Sequence, residues 1–228
     1  MREKIRVIAI VVTALIEALL LLACATHDVW LSTKSPGDMY TVTISREKSR
    51  NIFPLSGRVV RFDLFKNGNP LAVDRELTTF NLEDAGFEGR YSSHDWVSES
   101  ALKFNARSAD LRDDQDFLVI SNHTTESIKY LVIDALDLFL VIDIQPRSFL
   151  EFRVPRYRWQ SWISVAGEFS NGKAIQSKGV NFLHRDESSG SLRYCIALEN
   201  EGLIINSPSV EGWTFDQPII AKAPECKK

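Results

Sequence analysis

The chain has few of the residues from which metal, redox and phosphate sites are built. Its 228 residues include three cysteines, four histidines and eleven glycines. No His-x-x-x-His or Glu-x-x-His spacing occurs, and there is no Cys-x-x-Cys pair, no glycine-rich phosphate loop and no Gly-x-Ser-x-Gly elbow. These absences exclude the recognisable motifs of zinc proteases, dithiol oxidoreductases, P-loop proteins and α/β-hydrolases. We expect no metal and no cofactor.

Basic residues are not in excess either. There are 27 lysines and arginines against 30 aspartates and glutamates, which gives a formal net charge of −3. Nucleic-acid-binding domains usually carry a basic stripe, so we expect no nucleic-acid partner. Hydrophobic residues make up 44% of the chain and charged residues 25%, values that are ordinary for a globular protein and that argue against a disordered chain.

Beyond the first 24 residues, helical periodicity is almost absent. Residues 40–44 and 60–64 alternate apolar and polar side chains, as half-buried strands do. Asn67 and Gly68 follow the second of these runs and predict a tight hairpin turn, because both tolerate a positive φ. Residues 138–142 are apolar throughout, which predicts a central strand with both faces buried. The sequence therefore predicts an all-β fold of antiparallel sheets.

We expect this fold in two units after an N-terminal signal segment. Residues 24–110 form a small β-sheet unit, and residues 111–228 form a β-sandwich-like unit. The charged stretch 106–115 has no apolar run and is predicted to connect them. The second unit has the strand and turn spacing of an immunoglobulin-like sandwich without its Cys…Trp…Cys core, a resemblance of architecture that carries no function.

The first 23 residues have the organisation of an export signal. Arg2, Lys4 and Arg6 form a positive start, and residues 7–22 form an apolar stretch. The segment ends in the sequence Leu-Leu-Ala-Cys at residues 21–24. We therefore expect a cleaved N-terminal signal helix.

The Leu-x-Ala-Cys ending resembles the lipobox of bacterial lipoproteins. The resemblance implies that Cys24 becomes the mature N-terminus and carries lipid on its sulfur and its amine. Ala25 follows the cysteine, where an aspartate would favour the inner membrane, so the resemblance implies the outer membrane facing the periplasm. The expected location is the cell envelope, with the membrane as a partner through the lipid.

Two other interpretations of the leader remain open. An uncleaved spanning helix wants roughly 20 apolar residues, and residues 7–23 are fewer. Glu17 lies inside that stretch, where a carboxylate costs about 2.5–3.5 kcal/mol on insertion scales. A buried core helix is the other interpretation. In all three cases the segment lies outside the working fold.

If Cys24 carries lipid, Cys195 and Cys226 remain as an even pair in an oxidising compartment. Alternation places Cys195 on the opposite face of its strand from Tyr194 and Ile196. We expect a disulfide between Cys195 and Cys226 that pins the C-terminal tail, with two free thiols as the alternative.

The best candidate for a binding site is a cluster of arginines and aromatics near Pro155, which itself predicts a loop. Arginine binds carboxylates and phosphates, and aromatic faces stack on sugars and cations. An anionic glycan, a lipid headgroup or an envelope protein would suit this surface. Tryptophans that fill the core, with solvated arginines, are the alternative interpretation. The candidate residues are Arg156, Tyr157, Arg158, Trp159 and Trp162, with Arg153 beside them.

Scattered acidic and histidine residues suggest weaker candidates. The aspartates at positions 113, 114 and 116, and those at 134, 137 and 143, lack the spacing of an EF-hand loop and are interpreted as connection and strand-end residues. His94 with Asp95 and a nearby serine is the best arrangement for a hydrolase. Residues 122–124 form an Asn-His-Thr sequon and predict a surface turn.

These observations predict a membrane-tethered extracytoplasmic lipoprotein that binds or scaffolds at the cell envelope. No catalytic residues are assigned. An envelope hydrolase with an unrecognised site is the alternative, and an edge strand offered to a partner is a third hypothesis.

Overall fold

The structure is a computed structural model, and it describes most of the chain between residues 27 and 219. The described ranges are residues 27–47, 58–80, 90–107, 111–135, 137–157, 160–177, 180–183, 193–199, 202–206, 212–213 and 218–219. No helix in these ranges has the length and apolar character needed to cross a bilayer. The predicted signal segment, residues 1–23, lies outside the described residues.

The regular elements are strands, numbered β1 to β17 in chain order. They are β1 His27–Lys34, β2 Tyr40–Glu47, β3 Arg58–Lys66, β4 Asn69–Phe80, β5 Tyr91–Ser98, β6 Ala101–Ala106, β7 Leu111–Asn122, β8 Ile128–Ala135, β9 Asp137–Ile144, β10 Phe149–Tyr157, β11 Gln160–Phe169, β12 Ala174–Gln176, β13 Val180–Leu183, β14 Arg193–Glu199, β15 Gly202–Asn206, β16 Gly212–Trp213 and β17 Pro218–Ile219. The all-β prediction is confirmed.

The strands form three sheets. The first sheet is a meander in the order β1-β2-β3-β4, and the third sheet has the order β10-β7-β14-β15. The middle sheet has the order β17-β16-β13-β11-β8-β9-β6-β5, with β12 also paired to β11. The pairs are antiparallel except β7 with β14, which run parallel. This parallel pair is a departure from the predicted antiparallel sheets.

The middle sheet is buried on both faces. Along β9, Leu138, Leu140 and Ile142 pack into a core cluster shared with the first sheet. Phe139 and Val141 point the other way, into a cluster shared with the third sheet. The two clusters make the molecule a stack of three sheets, with a β-sandwich on each side of the middle one. The prediction that residues 138–142 form a doubly buried strand is confirmed.

The first hairpin follows from its turn residues. Asn67 and Gly68 connect β3 to β4 with φ values of 50° and 78°, the positive values that a two-residue hairpin turn requires. The predicted turn at this position is confirmed. It fixes the register in which Val60, Phe62 and Leu64 all face the core.

Two local predictions were wrong. The charged stretch 106–115 does not stay outside the sheets, because β7 begins at Leu111 and pairs with β10. Pro155 lies inside β10 and not in a loop. β10 is an edge strand with a register shift next to Pro155, and edge strands and bulges are the places where a sheet accepts proline, because proline has no N–H to donate. The division of the chain at residue 110 stays a prediction, and β6 pairs with β9 across it.

Candidate functional site

The predicted arginine–aromatic cluster falls on the end of β10 and the start of β11. In the backbone register Arg156 pairs with Arg112 and Tyr157 with Leu111. Trp162 pairs with Asn181 of β13. Arg158 and Trp159 lie outside the described residues, as does the surface that the five side chains would form. The anionic-glycan site therefore stays a prediction.

Cys195 lies on β14, between Asn206 of β15 and Val119 of β7. It is buried, and its neighbours Tyr194 and Ile196 belong to the core cluster on the opposite face. The predicted orientation of Cys195 away from that cluster agrees with this arrangement. Cys24 and Cys226 lie outside the described residues, so lipid attachment and the disulfide stay predictions.

The hydrolase arrangement around His94 does not assemble. His94 and Asp95 are consecutive residues of β5, so their side chains point to opposite faces. The His94 ring lies 6.2 Å from the Phe104 ring, whereas the Asp95 carboxylate accepts a hydrogen bond from Asn105. These two residues do not form a catalytic pair.

Each of the three aspartates considered as calcium ligands in the second trio forms an ion pair with a different basic side chain. Asp134 pairs with Arg90, Asp137 with Lys103 and Asp143 with Lys66. In the parts of the chain that the structure covers, no group of three His, Cys, Asp or Glu residues is arranged to hold a metal ion. From the first trio, Asp116 is buried on β7 and accepts a hydrogen bond from the Tyr194 hydroxyl.

The structure reveals a pocket at one end of the sandwich formed by the middle and third sheets. It has a volume of about 200 Å³ and lies at the turn between β7 and β8, at the turn between β11 and β12, and beside the paired ends of β14 and β15. We call it the end pocket. Its apolar lining residues are Phe169, Ala174, Ile175, Leu198 and Leu203.

The rest of the end pocket is polar. Glu126, in the turn between β7 and β8, and Glu199, the last residue of β14, are exposed carboxylates, and Lys173 adds one ammonium group. The pocket therefore combines an apolar interior with an excess of one negative charge. The full set of polar lining residues is Thr124, Glu126, Asn171, Lys173, Gln176 and Glu199.

A buried asparagine shapes one wall of the end pocket. The Asn122 amide nitrogen donates hydrogen bonds to the carbonyls of Glu126 and Gln145, and its amide oxygen accepts from Thr124. Asn122 is buried, so the prediction that its sequon forms a surface turn was wrong for this side chain. The amide holds the turn between β7 and β8 closed, which fixes Thr124 and Glu126 at the pocket.

Titratable groups with perturbed pKa values cluster outside the lining of the end pocket, where the first sheet meets the middle sheet. Burial raises the pKa of Asp143, but hydrogen bonds from Lys66 and Tyr40 outweigh it and hold this pKa below its ordinary value. Burial, together with the hydrogen bond to Asp143, raises the pKa of Tyr40. A tyrosine with a raised pKa is a poor base or nucleophile, so these groups favour a structural junction.

Sequence reasoning missed the end pocket because its walls come from three separated segments. Asn171 and Gly172 form a local turn signal of the Asn-Gly type, and Gly172 adopts a positive φ of 87°. Nothing local brings this turn next to Leu198 and Leu203. Their meeting depends on the pairing of β14 with β7, which alternation of side chains does not predict.

Comparisons with known proteins add little. No protein-family model matches the chain, and no curated protein matches it. Among solved structures, the chain is similar to the NMR structure of a protein from Eubacterium rectale, with 16% sequence identity and a TM-score of 0.30. That match covers 42% of this chain and 90% of the other. At this TM-score it supports no inference about fold or function.

Proposed function

We propose that this protein is a lipid-anchored protein of the cell envelope that binds a lysine-like group in the end pocket. By lysine-like we mean a short aliphatic chain that ends in an ammonium group. The observation that carries this proposal is the end pocket itself, with its apolar interior and two exposed carboxylates at the rim. The proposed role is binding, and an envelope hydrolase stays the alternative.

Location is supported by the leader. Its basic start, its apolar stretch and the lipobox-like residues 21–24 are the features of a lipoprotein signal. A tether suits a binding protein because it raises the local concentration near other envelope components.

The size and chemistry of the end pocket support the ligand class. Drug-sized ligands occupy pockets of about 300–1,000 Å³, so a pocket of about 200 Å³ suits a single side chain or a similar small group. Ile175 and Leu198 offer apolar surface for an aliphatic chain, and Glu126 and Glu199 offer acceptors for its ammonium group. Lys173 supplies a donor for a carbonyl next to that chain.

The tether is tested by the intact mass of the protein extracted from membranes. We expect residues 24–228 plus diacylglycerol, with or without a further acyl chain, and we expect Cys24→Ala to release the protein from the membrane fraction. The mass of the unmodified full chain would contradict the lipid anchor and favour the spanning-helix interpretation.

The ligand class is tested by methyl NMR with three probes that share a four-carbon chain. We expect n-butylammonium to shift the methyl signals of Ile175, Leu198 and Leu203, and n-butanol and butyrate to shift them less. Glu199→Gln should weaken n-butylammonium binding by about tenfold if the ammonium meets this carboxylate. Glu151→Gln, on β10 and outside the pocket, is the matched control. Equal shifts with all three probes would refute the proposed charge selectivity.

We also propose that Cys195 pairs with Cys226. The burial of Cys195 and the oxidising compartment expected of an exported protein support this pairing. A bridge that closes a loop of this length contributes about 3 kcal/mol when it is unstrained. A reducing agent should therefore lower the melting temperature of the wild-type protein and leave that of Cys226→Ser unchanged. Equal melting temperatures of the wild type with and without the reductant would show that there is no bridge.

A further inference from the structure

The strand register separates the two ends of the first sheet. At one end His27 of β1 pairs with Glu47 of β2, and Arg58 of β3 pairs with Phe80 of β4. At the other end Lys34 pairs with Thr41, and the β3–β4 hairpin turns at Asn67. The seven steps of β1 between these ends span about 23 Å.

The end pocket lies at the second of these ends. Lys66, next to the hairpin turn, forms an ion pair with Asp143 near the end of β9. The following residue, Ile144, pairs with Ile128 at the start of β8. Ile128 in turn pairs with Phe169, which lines the end pocket. The His27 end of β1 is therefore the end far from the pocket.

The proposed lipid attachment point lies next to the His27 end in the sequence. Only Ala25 and Thr26 stand between Cys24 and the first residue of β1. A chain spans at most about 3.6 Å per residue, so His27 lies within about 11 Å of the Cys24 backbone. A lipid on Cys24 thus holds this end of the first sheet at the bilayer surface.

Few large apolar side chains are exposed in the described ranges. The large apolar side chains that stand exposed in the described ranges are Val29, Met39, Val73 and Val97, which belong to different elements. Single exposed apolar residues do not make a membrane-binding face. The net charge of −3 also disfavours adhesion to anionic lipid headgroups.

From this geometry, which rests on the proposed lipid anchor and the proposed ligand class, we propose that the end pocket faces away from the bilayer. Its ligand is the lysine side chain of a soluble protein or peptide in the aqueous compartment. The same ammonium chemistry occurs in the ethanolamine headgroup of phospholipids. The protein's own bilayer is excluded as the source because the pocket lies at the far end of the sheets.

The test uses the full-length, lipidated protein in vesicles that carry an energy-transfer acceptor on a lipid headgroup. A fluorescent unnatural amino acid replaces Val29 near the His27 end, or Asn171 at the rim of the end pocket. Val97 is the matched control for Val29, since both are exposed valines on edge strands and Val97 lies near the Ser35 turn. We expect more transfer from position 29 than from positions 97 and 171.

Two further arms complete the test. A Gly-Ser linker of 12 residues inserted between Thr26 and His27 should lower the transfer from position 29, because such a linker spans about 19 Å. N-acetyl-lysine amide should change the emission of the label at position 171. Replacing phosphatidylcholine with phosphatidylethanolamine in the same vesicles should not change it.

The outcomes separate the inference from the proposed function. Equal transfer from the three positions, or more transfer from position 171, in a sample whose mass shows the lipid would overturn the membrane-distal pocket. A response at position 171 to phosphatidylethanolamine would also overturn it. A sample whose mass shows no lipid would refute the anchor before any transfer is measured.

Discussion

Lys66 of β3 donates a hydrogen bond to Asp143 of β9, with 2.5 Å between Nζ and Oδ2, and so joins the first sheet to the middle sheet. The Tyr40 hydroxyl donates to the same carboxylate oxygen at 2.9 Å. Asp143 adopts a φ of 53°, in the left-handed region that asparagine and aspartate tolerate better than other non-glycine residues. Asp143 therefore combines an uncommon backbone conformation with the side-chain contacts that join the two sheets.

Asp143→Asn should show what this ion pair contributes. Asparagine accepts the left-handed backbone, so the variant removes the charge without adding backbone strain. We expect a loss of about 1 kcal/mol in the free energy of unfolding near pH 7, a modest value because Lys66 and Asp143 are partly exposed. Urea unfolding with a single probe measures it, and an unchanged midpoint would show that the pair adds nothing.

The contribution of Asp143 should depend on pH. Since the folded-state pKa of Asp143 lies below its ordinary value of 3.8, its stabilisation is present above that value and is lost as the pH falls through the folded pKa. The hydrogen bond with Asp143 raises the pKa of Lys66, so the alkaline loss begins above its ordinary value of 10.5. The free energy of unfolding should differ between wild type and Asp143→Asn by a constant amount from roughly pH 5 to 9. This difference should become smaller below and above that range. A difference in the free energy of unfolding that does not shrink at all between pH 5 and pH 2 would contradict this assignment.

Glu168 makes a second junction between the same two sheets. Its carboxylate lies 2.9 Å from Arg75 of β4 and 2.6 Å from Lys129 of β8, and its side chain is 11% exposed. Glu168→Gln leaves both cations without their counter-charge, and we expect a loss of about 2 kcal/mol, reduced from the cost for a fully buried pair because both cations reach solvent.

The matched control for Glu168 is the pair of Arg61 and Asp74, which are 3.5 Å apart and in which the carboxylate is exposed. Asp74→Asn should change the free energy of unfolding by less than about 0.5 kcal/mol. Both variants are compared with wild type by urea unfolding at pH 7. Equal effects of the two substitutions would mean that the buried position of Glu168 has no energetic consequence.

Gly167 marks a place where β11 and β8 leave no room for a side chain. A Cβ at this position would lie 2.4 Å from the carbonyl oxygen of Tyr130 and 2.7 Å from Leu131 Cδ2. The first of these atoms is backbone, so Gly167→Ala must shift β11 away from β8, and we expect a loss of about 2–3 kcal/mol. Gly172→Ala, which meets no atom within 4 Å but has a φ of 87°, should cost about 1 kcal/mol. The stability of both variants is compared with that of wild type by thermal unfolding. A larger loss of stability for Gly172→Ala than for Gly167→Ala would contradict the steric argument.

The sequence predicts strands and their faces better than it predicts their partners. Alternation along residues 40–44 and 60–64 correctly assigns the buried side chains Tyr40, Val42 and Phe62, because burial on one face requires a period of two. Asn67 predicts its turn through local backbone preference. Alternation and turn preference depend on a few neighbouring residues only, so they can be recognised in the sequence without knowledge of the rest of the fold.

The arrangement of the sheets depends on contacts that no local pattern encodes. Nothing near Arg193 or Leu198 indicates that β14 joins β7 in parallel, since that pairing closes a loop of more than seventy residues. Pro155 misleads because a proline is compatible with a loop and equally with a bulged edge strand. The end pocket was missed for the first of these reasons, as its walls meet only after the third sheet has formed.

Filling the end pocket should abolish ligand binding without unfolding the protein. Ala174 lines the pocket, starts β12 and is exposed, so a larger side chain there meets pocket space and not core. We expect Ala174→Trp to weaken n-butylammonium binding at least about tenfold, measured from the methyl shifts of Ile175 and Leu198, because the indole occupies the volume that the aliphatic chain needs. The free energy of unfolding should change by less than about 0.5 kcal/mol, as for other exposed positions.

The control for this substitution is Val97→Trp, which adds the same indole to an exposed strand position outside the pocket and should bind n-butylammonium as wild type does. Undiminished binding by a folded Ala174→Trp would place the ligand outside the end pocket. The predicted arginine–aromatic cluster with Arg156 and Trp162 would then be the next candidate site.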